Sequence, residues 1–296
     1  MADRQIADVL TDDLLRTVTV PSMTRQAYSR IKRMNASSLK AGLLGSSDLD
    51  PVLIRNAYEG TRPAPTASLK DSFDRGTLAH TILLEPEKLV DSVAVWGGDR
   101  RAGSEWKEFN EANAGKLIMR AADVREVQAA CREVRGIQPV NDLLRRKRET
   151  ELAVFGKVSK TYCKGLIDSI TADDGPVTMI DLKTTSRAID EESITREVRR
   201  LHYREQLGLY ANLYEQATGK QVEKVFLLFV SLETSGVRLV RLTTSALQFG
   251  LARMTAAIEA VERCIETNEW PTFYAESICD VSEFEIGNIN LEGFDE

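Results

Sequence analysis

Hydrophobic spacing changes character three times along this 296-residue chain. Up to about residue 33 the apolar positions are sparse and without period, which predicts a polar, partly ordered N-terminal arm over 1–33. Helical spacing follows. Asn35 is a predicted N-cap for a short helix from Ala36 to Leu44, and a second helix is expected over 51–60. From Ser72 to Leu84 the spacing is helical again, with Phe73, Leu78, Ile82 and Leu83 on one buried side and Pro86 closing the helix. Residues 87–118 show no clear period and hold Trp96 and Trp106 on either side of a Gly/Arg-rich loop. A long helix over 122–135 and a further one reaching Arg146 come next.

The period then becomes strand-like. ELAVFGKV, YCKGLIDSI and PVTMIDLKTT are short β-prone runs separated by turn signals, the pattern of an antiparallel meander. Asp174-Gly175 is a two-residue hairpin signal, and a turn centred there sets Asp168 opposite Asp181. Alternation then brings Lys183 to the same face. Helical spacing returns over 191–218 as two helices stopped by Gly219, followed by the strands KVFLLFVSLE and RLVRLTT and a long helix over 244–268. The order of elements predicts an α/β (or α+β) fold with a mixed central sheet flanked by helices.

Composition narrows the function classes. A 43% hydrophobic content suits one sizeable core, and no run of about 18 apolar residues or basic-then-apolar leader is present, so the expectation is a cytoplasmic protein without membrane contact. Cys131, Cys163, Cys264 and Cys279 are scattered, which argues against a structural zinc site or an iron–sulfur cluster. A formal charge of −6 weighs against a protein that coats nucleic acid, but leaves room for a local basic channel. Arg145-Arg146-Lys147-Arg148 and the helically spaced Arg196, Arg199, Arg200 and Arg204 are the basic clusters, each of which also suits a solvated helix face.

Two opposed carboxylates and a lysine on one sheet face make an expensive core unless a divalent cation holds the charges. Asp168 and Asp181 are therefore candidate ligands for magnesium or manganese, and Lys183 is placed to orient a water or offset phosphate charge. An exposed sheet face with Lys183 salt-bridged to either aspartate fits the same spacing equally well.

Asp168, twelve further residues, then Asp181-Leu182-Lys183 resembles the PD-(D/E)XK nuclease core. Three more segments are similar to its RecE-like and RecB-like branches. Gly76-Thr77-Leu78-Ala79-His80 resembles the helix that supplies a histidine metal ligand, and Gln206-Leu207-Gly208-Leu209-Tyr210 resembles the QxxxY helix. NASSLKAGLLGSSDLDP with GTLAHTILLEPEKL looks like the phage and prophage RecE-type exonucleases, also called exodeoxyribonuclease VIII. In that group a glutamate precedes the first aspartate; Glu151 is the best match, with Glu149 close by, and Lys164 stands where the group has a basic residue.

The resemblance implies a restriction-endonuclease-like PD-(D/E)XK core as a single nuclease domain over 34–270, followed by an acidic tail over 271–296. It implies a deoxyribonuclease with magnesium as cofactor, manganese substituting, that degrades one strand of linear double-stranded DNA from the 5′ end for single-strand-annealing recombination. Metal ligands would be His80, Asp168, Asp181 and the carbonyl of Leu182, with Lys183, Glu151, Gln206 and Tyr210 completing the catalytic set and Arg196, Arg199, Arg200, Arg204 and Lys164 contacting DNA. Implied partners are a RecT-like annealing protein and further copies of the chain in a toroidal tetramer. Competing readings are a RecB-like single-strand nuclease and a noncatalytic DNA-end-binding protein on the same fold.

Overall fold

The computed structural model describes residues 17–21, 23–45, 47–60, 66–98, 100–234, 236–271 and 273. Most of the expected acidic tail, with Cys279, and the first 16 residues of the expected arm lie outside them. The chain begins with β1 (Val18–Val20), α1 (Arg25–Arg30), β2 (Met34–Asn35), α2 (Ala36–Lys40), β3 (Leu43–Leu44) and β4 (Asp48–Leu49). Two helices follow, α3 (Pro51–Tyr58) and α4 (Ala67–Leu84), then a 3-10 turn at Pro86–Lys88 and α5 (Leu89–Ser92). The small pair β5 (Val93–Trp96) and β6 (Leu117–Arg120) brackets α6 (Gly103–Ala112), and α7 (Ala121–Gly136) and α8 (Gln138–Arg145) lead into the main strands. These are β7 (Arg148–Val158), β8 (Thr161–Thr171) and β9 (Thr178–Thr185). After α9 (Glu191–Arg200) and α10 (Tyr203–Thr218) come β10 (Lys224–Ser231), β11 (Val237–Leu242) and α11 (Thr244–Thr267).

Local chemistry accounts for the main boundaries. The Asn35 side chain accepts the Ser38 N–H and so starts α2 as expected, Asp50 caps α3 ahead of Pro51, and Thr243 caps α11. Gly219 adopts a left-handed conformation, φ +70°, that ends α10. The predicted continuation of α2 to Leu44 does not form, because Leu43–Leu44 pairs with Asp48–Leu49 as a small hairpin.

The described residues form a mixed sheet in the order β1-β7-β8-β9-β10-β11, with β2 added beside β8. Neighbours are antiparallel except the short β2 with β8 and the long β9 with β10, and the parallel pairing of the latter requires the crossover through α9 and α10. Both faces of β9 and β10 are covered, which explains why these strands read as nearly continuous apolar runs. Met179, Leu227 and Phe229 pack toward α10 and α11, with Leu207, Leu213, Met254 and Ile258. Ile180, Leu182, Leu228 and Val230 pack toward α4, α7 and α8, with Leu78, Leu83, Val127 and Val134. Asp181 and Lys183 alternate with Ile180 and Leu182, so they point to the α10 face.

Two stretches differ from their sequence reading. Residues 18–30, read as part of a polar arm, join the sheet: β1 pairs with β7 through Val18 with Phe155 and Val20 with Ala153, and Met23 and Ala27 of the following segment pack on Ala153 and Phe155. Four apolar residues are too few to show a period, yet enough to cover one sheet edge. Phe73, expected inside, is 59% exposed, whereas Leu78 and Leu83 are buried as expected. α4 begins at Ala67, and its residues 70–73 are exposed whereas its second half is largely buried.

The helices α10 and α11 touch through a reciprocal glycine pair. A Cβ at Gly250 would lie 2.2 Å from the Arg204 carbonyl oxygen, and one at Gly208 would lie 2.4 Å from that of Leu247. Glu205, fully buried beside this contact, accepts from Arg253 at 3.0 Å.

Candidate active site

β8 and β9 pair in the predicted register, Ser169 with Ile180 and Ile170 with Met179. The connection is longer than the two-residue turn expected: the Thr178 N–H, next along the ladder, donates to Thr171 Oγ1 at 2.9 Å, and Pro176 beyond it has no N–H to offer. Arg146 braces the loop instead, donating to Asp173 at 2.9 and 2.5 Å and to the Pro176 carbonyl at 3.0 Å. The loop stays centred on Asp174-Gly175, so the register is kept.

The ladder stops one pair short of Asp168 and Asp181. The Asp168 carboxylate enters the gap and accepts the Leu182 N–H at 3.0 Å. On its other side the β7–β8 ladder also skips a step: Thr150 pairs with Ser169 and Leu152 with Ile167, while Glu151 between them has φ +50°. A left-handed conformation in a side-chain-bearing residue costs about 1–2 kcal/mol. Asp168 thus sits where both of its ladders are interrupted, and its side chain and that of Glu151 are freed to face one another across His80.

His80 reaches this gap from α4. Gly76, one turn earlier, allows the approach, since a Cβ there would lie 2.8 Å from Thr184 Oγ1 of β9. The His80 Nε2 atom lies 3.4 Å from Glu151 and 3.6 Å from Asp168 and has no hydrogen-bond partner. Burial disfavours the charged imidazole, but Asp168 and then Glu151 outweigh it and raise its pKa. Glu151, rather than the exposed Glu149, therefore occupies the site. Glu85, at the end of the same helix, is buried, accepts from Thr150 at 3.0 Å and pairs with Lys88.

Across the gap Asp181 is almost fully buried and touches Lys183 Nζ at 2.6 Å. Burial pushes the Asp181 pKa up, with the Asp168 charge adding to it and Lys183 opposing it. Asp168 is held low: burial opposes its charge, but His80, Lys183 and the Leu182 N–H together prevail. Burial also works against the Lys183 ammonium, yet Asp181 and Asp168 more than offset it and raise its pKa, and the Tyr203 ring lies 4.8 Å away. Gln206 donates from Nε2 to Asp181 at 3.0 Å and accepts from Lys40 at 2.9 Å. Both ends of its amide are engaged within the protein, and through them Gln206 orients Asp181.

Other expected residues stand elsewhere. Tyr210 is buried against Gly165, where a Cβ would lie 2.7 Å from its ring, and its pKa is raised well above 10, first by burial. Its ring packs in the core on the α10 side of the sheet, within electrostatic reach of Asp181 and Asp168. Lys164, expected on DNA, points inward and donates to the carbonyls of Tyr28 and Ile31 at 2.6 and 2.7 Å. The Tyr28 carbonyl, which also accepts the Ile31 N–H at the end of α1, and the Ile31 carbonyl just after it hold the ammonium inside. Burial, then Lys32, lowers its pKa to about 8. The unfolded chain then holds the extra proton between pH ~8 and ~10.5, so stability rises with pH across that window. Urea melts should show wild type gaining on Lys164→Met by up to ~3 kcal/mol over that range; a constant difference would contradict the buried ammonium. Arg196, Arg199, Arg200 and Arg204 line a cleft of about 1010 Å³ that Glu191 and Glu192 also line, and Arg196 pairs with Glu192 at 2.5 Å, which leaves Arg199, Arg200 and Arg204 to make it basic. Leu182 contributes its N–H to Asp168.

Arg25, Lys40 and Glu85 were not singled out by sequence. The first two reach the site over separations of 126 and 166 residues, and no local pattern carries such contacts. Glu85 lies five residues after His80, and in the sequence the Pro86 that follows it signals only a helix stop.

These donors suit a hard divalent cation. Ligand atoms of His80, Glu85 and Glu151 lie within 4.8 Å of one another, beside Asp168 and Asp181, and the buried unpartnered His80 Nε2 is aimed among oxygens. Among the described residues, no helix is long and apolar enough to cross a membrane, and Cys131, Cys163 and Cys264 are buried free thiols.

Comparison with known proteins agrees with this architecture. No curated protein matches the sequence. Among solved structures, a protein from Eubacterium rectale provisionally described as an exonuclease superposes with a TM-score of 0.59 at 14% identity, over 91% of this chain and 94% of its own. A second, described as SSO0001, covers 52% of this chain and 67% of its own at 18% identity, with a TM-score of 0.25 too low to carry weight. The model of a family described as a PDDEXK-like domain of unknown function (DUF3799) matches residues 57–282. With that match spanning most of the sheet and the residues gathered at its broken ladders, the chain belongs to this PDDEXK-like family.

Proposed function

We propose that this protein is a metal-dependent exonuclease of the RecE type that degrades one strand of linear double-stranded DNA, 5′ to 3′. The observation that carries the reading is the convergence of Asp168, Asp181 and Lys183 with His80 at the interrupted ladders. The exonuclease description of the Eubacterium rectale protein supports the same class.

His80, Asp168 and Asp181, with the Leu182 carbonyl, would hold the ion, magnesium in the working enzyme and manganese as a substitute. When bound, it supplies positive charge to the scissile phosphate and makes an adjacent water more acidic. Lys183, kept protonated by two carboxylates, adds a fixed positive charge to the developing phosphate. Gln206, braced by Lys40, holds Asp181 in place. Arg196, Arg199, Arg200 and Arg204 offer a basic path for the DNA backbone, which lets a chain of net charge −6 engage DNA locally. Action in the cytoplasm, as a toroidal tetramer with a RecT-like annealing partner, completes the proposal.

Linear duplex labelled at the 5′ or 3′ end, circular duplex and single strands, each with Mg2+, test it side by side. Nucleotide release from the 5′ ends of linear duplex is expected. Release from single strands alone would move the protein to the RecB-like reading. DNA-end binding with no release in Mg2+ or Mn2+ would make it a noncatalytic binder.

A further inference from the structure

We propose that Arg25 is a protein-borne cation filling the second of two adjacent cation positions, so that the chain takes up one divalent ion where its ligand set has room for two. The inference rests on the metal-site reading above. Asp168 and Asp181 frame one position, and the ligand atoms of His80, Glu85 and Glu151, mutually within 4.8 Å, frame the other. His80, only 9% exposed, aims its unpartnered Nε2 between them, 3.4 Å from Glu151 and 3.6 Å from Asp168.

The guanidinium of Arg25 already serves the second position. It donates from Nη2 and Nε to the two oxygens of Glu151 at 2.8 and 3.1 Å, the bidentate fork that arginine forms on a carboxylate. Burial works against its charge, but Glu151, Asp168 and Glu85 all favour it and raise its pKa. Its delivery is structural. β1 fixes the preceding segment to β7, and Met23 and Ala27 seat α1 on Ala153 and Phe155. One divalent ion, Arg25 and Lys183 already match the four carboxylates Glu85, Glu151, Asp168 and Asp181, and Lys88, paired with Glu85, adds a further positive charge. A second divalent ion would have to displace the guanidinium, a side chain 65% exposed but held by its two hydrogen bonds to Glu151, for little electrostatic gain.

Calorimetric titration of the full chain with MnCl2 tests this without recourse to activity. Wild type and Arg25→Lys should bind one ion per chain, Arg25→Gln two, and the double variant Arg25→Gln with Glu85→Gln one again, each with a thermal melt to verify folding. Two ions in wild type, or one in Arg25→Gln, would overturn the role of Arg25 and leave the first site standing. No binding by wild type would overturn the metal-site reading itself, and this inference with it.

Discussion

Asp181→Ala is expected to abolish cleavage of linear DNA, and Lys183→Ala to lower its rate by on the order of 10²–10⁴-fold, with the far-ultraviolet circular dichroism of both unchanged. Asp181 is the point on which Lys183, Gln206 and, through Gln206, Lys40 all converge. Its loss removes the proposed ligand and releases the lysine together. Folding should survive, because burial already disfavours this carboxylate's charge and the stability of the sheet comes from Met179, Ile180 and their apolar neighbours on both faces. Lys183 keeps the Asp168 charge in the Asp181 variant, so its ammonium is not stranded. Measurable wild-type-like hydrolysis by either purified variant would remove these residues from the chemistry.

Gly250→Ala is expected to destabilise the protein by about 3 kcal/mol and to depress activity, although Gly250 lies outside the site. The added methyl meets backbone, the Arg204 carbonyl at 2.2 Å and the Glu205 nitrogen at 2.7 Å, and neither can rotate away. The helices must separate, which disturbs the buried Glu205–Arg253 pair and shifts α10, the helix carrying Tyr203 and Gln206. Gly136→Ala is the control. Nothing lies within 4 Å of a Cβ there, and the change should be neutral or stabilising by ~0.4–1 kcal/mol. Equal urea midpoints for the two variants would show that the helix contact is looser than described.

The sheet and most of the site were legible because their signals are local. β-prone runs between turn signals gave β7, β8 and β9, and a turn centre at Asp174-Gly175 was enough to set the register that brings Asp168 toward Asp181. What escaped depends on tertiary geometry. The ladder breaks at Asp168 arise because a side-chain oxygen takes a backbone donor, which alternation alone does not foretell. Lys164 looked like a phosphate contact, yet α1 draws it inward to its carbonyls. Tyr210 shares a helix face with Gln206 as i, i+4 spacing requires, but that face runs from the site into the core within one turn. Arg25 lay in a stretch whose apolar residues were too few to announce an element.

The parallel pairing of β9 with β10 has a consequence for the newly made chain. Asp181 and Lys183 lie on a strand whose second neighbour is synthesised some forty residues later, and whose covering helix α10 is itself clamped by the last described helix, α11. A ribosome-bound chain that has not yet released β10 and α11 has β9 with one open edge and no fixed Gln206 beside Asp181. Long-range pairings of this kind form late in folding. The geometry around Asp181 and Lys183 is therefore withheld until α11 has left the ribosome, and fragments produced by premature termination or by proteolysis within α10 would carry these residues without that geometry.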